Sequence, residues 1–263
     1  MRKTIKKFLT IALAATVAVS AFTPVTAKAA DVPSSMTIYR TSKSGTSNTS
    51  IYISNLKKSA TIKKSSVKSS DKKVATINYL NKDTYNSTYN YKYYNGSKDN
   101  TYKNSYANYY ISLSLKKAGT STISYKLDGK TYKTKVTVKN YTNPLKSVKI
   151  SGISGNLAGK LKKQNSAKAK LKKSPKNATV KLTANKNWKI TGVSLSTVKK
   201  IKQDGGTSYS TQEQYSYYAY NGGKSSATLR VGNLSKKNAY QVNVNMVNTK
   251  TGGSLYCTYN INY

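Results

Sequence analysis

Hydrophobic positions along this chain come in short runs with a period near two. Met36-Thr37-Ile38-Tyr39, Ser50-Ile51-Tyr52-Ile53, Ala60-Thr61-Ile62, Val74 to Tyr79, Tyr110 to Leu115, Thr122 to Leu127 and Tyr132 to Val138 are each bounded by Ser, Gly, Asp, Asn or Lys. Alternation places successive side chains on opposite faces, so these runs predict half-buried strands and not helices. Asp128-Gly129, between the last two, predicts a tight hairpin turn. A second series follows, with Val148 to Ile150, Ala178 to Ala184, Trp188 to Ile190, Val193 to Leu195, Ala227 to Val231, Tyr240 to Met246 and Leu255 to Ile261. Asn143-Pro144 separates the two series and predicts a boundary there. The chain therefore reads as all-β, with one sandwich over 31–141 and a second over 142–263.

Three stretches of the first series carry a more specific signal. Ser69, Ser70, Asp71 and Val74-Ala75-Thr76-Ile77 come first, then Lys116-Lys117-Ala118-Gly119-Thr120-Ser121-Thr122-Ile123, then Lys135-Val136-Thr137-Val138. Together they resemble the bacterial immunoglobulin-like group 2 domains of secreted and surface proteins. The resemblance implies two immunoglobulin-like β-sandwiches and an exported habitat, and it supplies no catalytic residues. It is specific for the first series; the second has no counterpart of Val-Ala-Thr-Ile. The number of predicted strands in the first half suits the same architecture independently.

The first half departs from that family at residues 81–108, where a short turn is replaced by an insertion holding Tyr85, Tyr89, Tyr91, Tyr93, Tyr94, Tyr102 and Tyr106 among Asn, Ser and Lys. Alternation at Tyr89, Tyr91 and Tyr93 before Asn95-Gly96 predicts a projecting hairpin, with a mobile loop as the other reading. In the second half Tyr215, Tyr217, Tyr218 and Tyr220 precede Asn221-Gly222. The halves thus read as diverged copies with a tyrosine-rich segment at the same point in each.

Charge changes the picture. The chain holds 46 basic and 7 acidic residues, a formal net charge of +39. Residues 1–30 show Arg2, Lys3, Lys6 and Lys7, an apolar run from Phe8 to Val19, and Ala27-Lys28-Ala29. This is the order of a secretory signal peptide, and its apolar run is too short for a membrane span. Removing it takes away five basic and no acidic residues and leaves a mature charge of +34. The expected location is extracellular, and with no sorting motif before Tyr263 any wall association is expected to be noncovalent. No transmembrane segment is expected in the mature chain.

Candidate chemistry is sparse. There is no histidine, which removes histidine bases, triads and histidine metal sites. Cys257 stands alone, on one strand face with Leu255, Tyr259 and Ile261, and reads as a buried small hydrophobe. The carboxylates Asp31, Asp71, Asp83, Asp99, Asp128, Asp204 and Glu213 are scattered singly, so neither paired acids nor a calcium cluster is expected. The expectation is a binding protein, not an enzyme, with no cofactor and no metal. A lysine–asparagine cross-link would need a buried acid, the scarce component here.

Two residue sets are candidates for contact. Tyr89, Tyr91, Tyr93, Tyr94, Tyr102, Tyr106, Tyr215, Tyr217, Tyr218 and Tyr220 offer flat amphipathic area at low entropic cost. Lys162, Lys163, Lys168, Lys170, Lys172 and Lys173 form the densest basic run, read as an edge strand with Ala167, Ala169 and Leu171 turned inward. Edge lysines also discourage sheet-to-sheet aggregation, a role that needs no ligand. The expected partner is an anionic cell-wall polymer or glycan, or an acidic surface protein. Nucleic acid is expected only nonspecifically, because Arg40 and Arg230 are the sole arginines after residue 30 and bidentate readout prefers Arg. A structural matrix or coat role is the other reading, with Tyr39, Tyr125 and Tyr240 assigned to the core.

Overall fold

The computed structural model describes residues 31–40, 47–91, 100–203, 206–219 and 222–262, with side chains except at 87–91, 100–104, 202–203 and 206–207. The expected signal peptide lies outside the described residues.

The N-terminal half holds β1 (Ser35–Tyr39), β2 (Ser47–Leu56), β3 (Lys68–Ser69), β4 (Ala75–Tyr91), β5 (Asn100–Leu115), β6 (Gly119–Leu127) and β7 (Lys130–Lys139). Strands β2, β5 and β4 make one antiparallel sheet; β1, β7, β6 and β3 make the other, with β1 parallel to β7. Second, fifth and fourth strands facing third, sixth and seventh is the immunoglobulin arrangement. The C-terminal half holds β8 (Leu145–Ile150), β9 (Ser166–Ala169), β10 (Thr179–Ala184), β11 (Trp188–Gln203), β12 (Gly206–Tyr218), β13 (Ser226–Arg230), β14 (Ala239–Asn248) and β15 (Ser254–Ile261). Its smaller sheet is β8–β10–β13 and its larger one runs β12–β11–β14–β15, with β9 parallel to β15.

Buried side chains fall into two clusters. One gathers Ile51, Ile53, Ile111, Leu113, Leu115, Ile123, Tyr125 and Val136; the other gathers Val148, Val180, Ile190, Val242, Val244, Cys257, Tyr259 and Ile261. Strand β1 joins the halves, pairing with β7 along its length and with β15 through Ile38 and Ser254. Tyr39 crosses the seam: its ring lies 4.9 Å from Trp188 and its hydroxyl 3.2 Å from Thr251 Oγ1.

Tyr39, Tyr125 and Tyr240 are buried as expected, and Tyr109, Tyr141 and Tyr259 join them. Cys257 is fully buried, and burial pushes its thiol up to about 12. None of the described carboxylates is buried.

The residues that carried the family resemblance form a hydrogen-bonded corner. Ser69 Oγ donates to the Ala75 carbonyl at 2.7 Å and meets Ser121 Oγ at 2.9 Å. The Thr122 amide donates to Ser70 Oγ and the Lys73 amide to Asp71 Oδ1, both at 2.8 Å. Polar groups at the β3–β4 corner are thereby satisfied against β6, so these motif residues serve the fold. At the β6–β7 turn Asp128 and Gly129 have φ of 48° and 81°, as a two-residue hairpin requires. Asp128 Oδ1 also accepts from the Thr61 amide at 2.7 Å.

Three expectations are corrected. Ala60-Thr61-Ile62 is not a strand: Ile62 makes a single bridge to Leu127. Its backbone is satisfied instead by Tyr109, whose hydroxyl accepts from the Ile62 amide and donates to the Ala60 carbonyl. Trp188 to Ile190 and Val193 to Leu195 belong to one strand, β11, irregular near Ile190–Gly192 and Leu195–Ser196. The basic run is strand only over Ser166–Ala169, although Leu171 is buried beyond it.

Candidate functional site

The insertion folds as a long hairpin: β4 and β5 stay paired from Ala75↔Leu115 out to Tyr91↔Asn100. Its outer limbs lengthen the β2–β5–β4 sheet. Within that sheet Ile111, Leu113 and Leu115 point to the core, so Tyr106, Asn108, Tyr110, Ser112 and Ser114 occupy the opposite row. Across the register this row meets Tyr52 of β2 and Tyr79, Asn81, Asp83 and Tyr85 of β4. Among the described residues, the outward positions of the three strands carry no lysine or arginine.

The rings on this face lie against one another. Tyr85 and Tyr106 stack with centroids 5.0 Å apart and planes at 19°, and Tyr52 and Tyr110 lie 5.0 Å apart at 40°. The Tyr110 hydroxyl is hydrogen-bonded to those of Tyr85 and Tyr52, a hydroxyl chain running across the three strands. Desolvation by neighbours raises the pKa of Tyr52 and Tyr110; Tyr85 is raised first by its bond to Tyr110. The negative charge of Asp83 adds to all three shifts, so the phenols stay neutral above the ordinary tyrosine range. Asp83 Oδ1 accepts from Asn81 Nδ2 at 2.9 Å, and Ser114 Oγ bonds the side chains of Asn48 and Asn78. Tyr52, Tyr79 and Tyr85 are 42, 55 and 40% exposed, large values for rings on a paired sheet. Lys82 lies on the other face, where its ammonium donates to the Lys58 and Ala60 carbonyls and sits 5.6 Å from the Tyr109 ring.

The structure brings some predicted residues together and separates others. Tyr106 lies in the row, and the register sets Tyr89 opposite Tyr102 farther along the hairpin. Tyr93, Tyr94 and Tyr220 lie outside the described residues. The C-terminal set is split: Tyr218 is exposed and its hydroxyl donates to Glu213 Oε2 at 3.4 Å, whereas Tyr217 packs on the core side with Lys224 5.8 Å from its ring. Tyr215 pairs with Leu195, and its hydroxyl is within 2.7 Å of where a Cβ on Gly232 would stand. All six lysines of the basic run are exposed. Lys168 sits on β9, which pairs with β15, so β11, β14 and β15 separate it from β12 and these lysines and tyrosines do not make one surface.

The reading of equivalent tyrosine segments is also corrected. In the N-terminal half the hairpin joins the fourth and fifth strands and extends the smaller sheet; in the C-terminal half it is β11–β12, at an edge of the larger one. That hairpin closes between Gln203 and Gly206, ahead of its tyrosines and not after them. Sequence reasoning missed Tyr52, Tyr79, Tyr110 and Asp83 as members of the face. Alternation alone would have put Tyr52 outward from Ile51 and Ile53, but only the register shows that it meets Tyr110.

Among the described residues no helix is long and apolar enough to cross a membrane, and no cluster of acidic, cysteine or histidine side chains could hold a metal ion.

No family model matches the chain, and no curated protein matches it. Among solved structures, the Yersinia pseudotuberculosis adhesin InvE is similar at 10% identity and a TM-score of 0.21, over 89% of this chain and 59% of that one. Domains 5-6 of the S-layer protein SbsC are similar at 14% identity and 0.25, over 88% and 95%. A titin immunoglobulin tandem is similar at 7% identity and 0.21, over 88% and 95%. The fold stands on the strand order above and not on these overlaps.

Proposed function

We propose that this chain is a non-catalytic, secreted or wall-associated immunoglobulin-like protein of the bacterial group 2 kind that binds anionic or glycan polymers. In this reading residues 1–30 are removed on export, 31–141 and 142–263 act as two domains, and attachment to a surface is noncovalent. The observation that carries it is the exposed tyrosine row on the β2–β5–β4 sheet, braced by stacking and hydroxyl bonds in a strongly cationic chain. Rings held in place lose little entropy when they meet a ligand, and lysines elsewhere attract polyanions from a distance.

Retention of the protein lacking residues 1–30 on purified cell wall, wall stripped of teichoic acid, mucin glycans and DNA, each over a salt series, tests this. At about 1 M salt the Debye length falls to about 3 Å, so long-range attraction is lost. Retention on at least one glycan surface at that salt is expected. Release from all four surfaces by moderate salt would make the protein an electrostatic adherer and remove the tyrosine contact.

A further inference from the structure

The tyrosine face and the cationic surface are segregated, and the segregation bears on the ligand. In a chain with 46 basic residues, the outward row of β2, β5 and β4 carries tyrosine, asparagine, serine and one carboxylate. Asp83 lies near enough to raise the pKa of Tyr52, Tyr85 and Tyr110 through its charge. A polyanion brought onto this row would lose hydration, gain no ion pair there, and meet that carboxylate. The nearby ammonium of Lys82 is turned to the other face and engaged with two carbonyls.

An uncharged polyol meets the same row favourably. Its C–H faces match the exposed rings, and its hydroxyls match amides, a carboxylate oxygen and phenols that stay protonated. The linked hydroxyls of Tyr85, Tyr110 and Tyr52 can each still give a hydrogen bond to a ligand hydroxyl or accept one from it. The row crosses three strands, from Tyr52 through Tyr110 to Tyr85, so it suits an extended polymer better than a single sugar. A second copy of the chain would bring two strongly positive bodies together over this face, which opposes self-association.

From this arrangement we infer that the outward face of the β2–β5–β4 sheet binds an uncharged polysaccharide, with the lysines outside that face serving only long-range attraction. This rests on the polymer-binding function proposed above and narrows it to one ligand class.

The test measures retention of the protein lacking residues 1–30 on cellulose, chitin and mannan, and on immobilised poly(glycerol phosphate), at about 0.1 and 1 M NaCl. Retention on one of the uncharged polysaccharides is expected to persist at the higher salt. The variant Y52A/Y85A/Y110A should lose at least tenfold in apparent affinity, as truncation of stacked aromatic contacts does. The variant Y52F/Y85F/Y110F keeps the rings and should lose about threefold, consistent with the modest net value of neutral hydrogen bonds. Unchanged thermal melting of both variants shows that folding is not the cause. Binding only to poly(glycerol phosphate), released by salt, would overturn the inference while leaving the broader function standing. No retention on any polymer would overturn both. Sedimentation showing self-association that the alanine variant abolishes would assign the face to a second copy instead.

Discussion

Raising the pH from 9 to 12 should unfold the C-terminal half. Three acidic groups are buried together in its core: Cys257, pushed up to about 12, and Tyr141 and Tyr259, both driven above the ordinary tyrosine range by burial. Coulombic coupling among the three reinforces the effect for the tyrosines. All are neutral when folded, and in the unfolded chain each ionises near its ordinary value. Above pH 9 the unfolded state therefore binds fewer protons than the folded one, and stability falls as pH rises. The penalty is absent below the unfolded thiol value and grows until the folded value is reached. With the thiol moving from 9.0 to about 12, its share at pH 11 is roughly 3 kcal/mol, against a usual total of about 5–15 kcal/mol. Repulsion within so cationic a chain also depends on pH, so the experiment belongs at about 0.5 M salt, where that repulsion is screened. Trp188, the single tryptophan, reports this half by fluorescence under denaturant titration. In Cys257→Ala the fall of stability between pH 10 and 11 should become shallower by about 1.4 kcal/mol per pH unit. An unchanged slope would show that the thiol ionises inside the folded protein.

Gly119→Ala should destabilise the N-terminal half by about 3 kcal/mol, from backbone strain plus overpacking. Gly119 has φ of 149°, a conformation side-chain-bearing residues rarely adopt, and a Cβ there would stand 2.7 Å from Val74 Cγ2. Val74 is buried and β-branched, so it has little freedom to yield. Gly129→Ala is the matched control: its φ is 81°, but nothing lies within 4 Å of the new methyl, and about 1 kcal/mol is expected. A thermal shift no larger for Gly119 than for Gly129 would contradict the steric account.

These two glycines show what could be read from the chain before folding. Asp128-Gly129 declared its hairpin by local chemistry alone, because a two-residue turn demands positive φ. Gly119 was legible only as part of a family resemblance, since its cause is a methyl group of Val74, in the turn before β4. The same division applies to the site. A hairpin in the insertion followed from alternation at Tyr89 and Tyr91, yet its partners Tyr52 and Tyr110 required a cross-strand register that no local pattern encodes. The β11–β12 hairpin was missed because Lys199, Lys200 and Lys202 mask the alternation beyond Val198, although Asp204-Gly205 offered a turn signal. Treating the two tyrosine segments as equivalent failed for a topological reason: similar runs were inserted between different pairs of strands.

The central claim is that the lysine-free tyrosine row of the β2–β5–β4 sheet is the contact surface. Hydroxyl-radical footprinting, read by mass spectrometry with and without the retained polymer at about 1 M salt, addresses it most directly. Protection of Tyr52, Tyr79 and Tyr85 is expected, with Tyr209 and Tyr218, exposed on the other hairpin, oxidised as before. Unchanged oxidation of the first three, with protection confined to segments rich in lysine, would contradict the account.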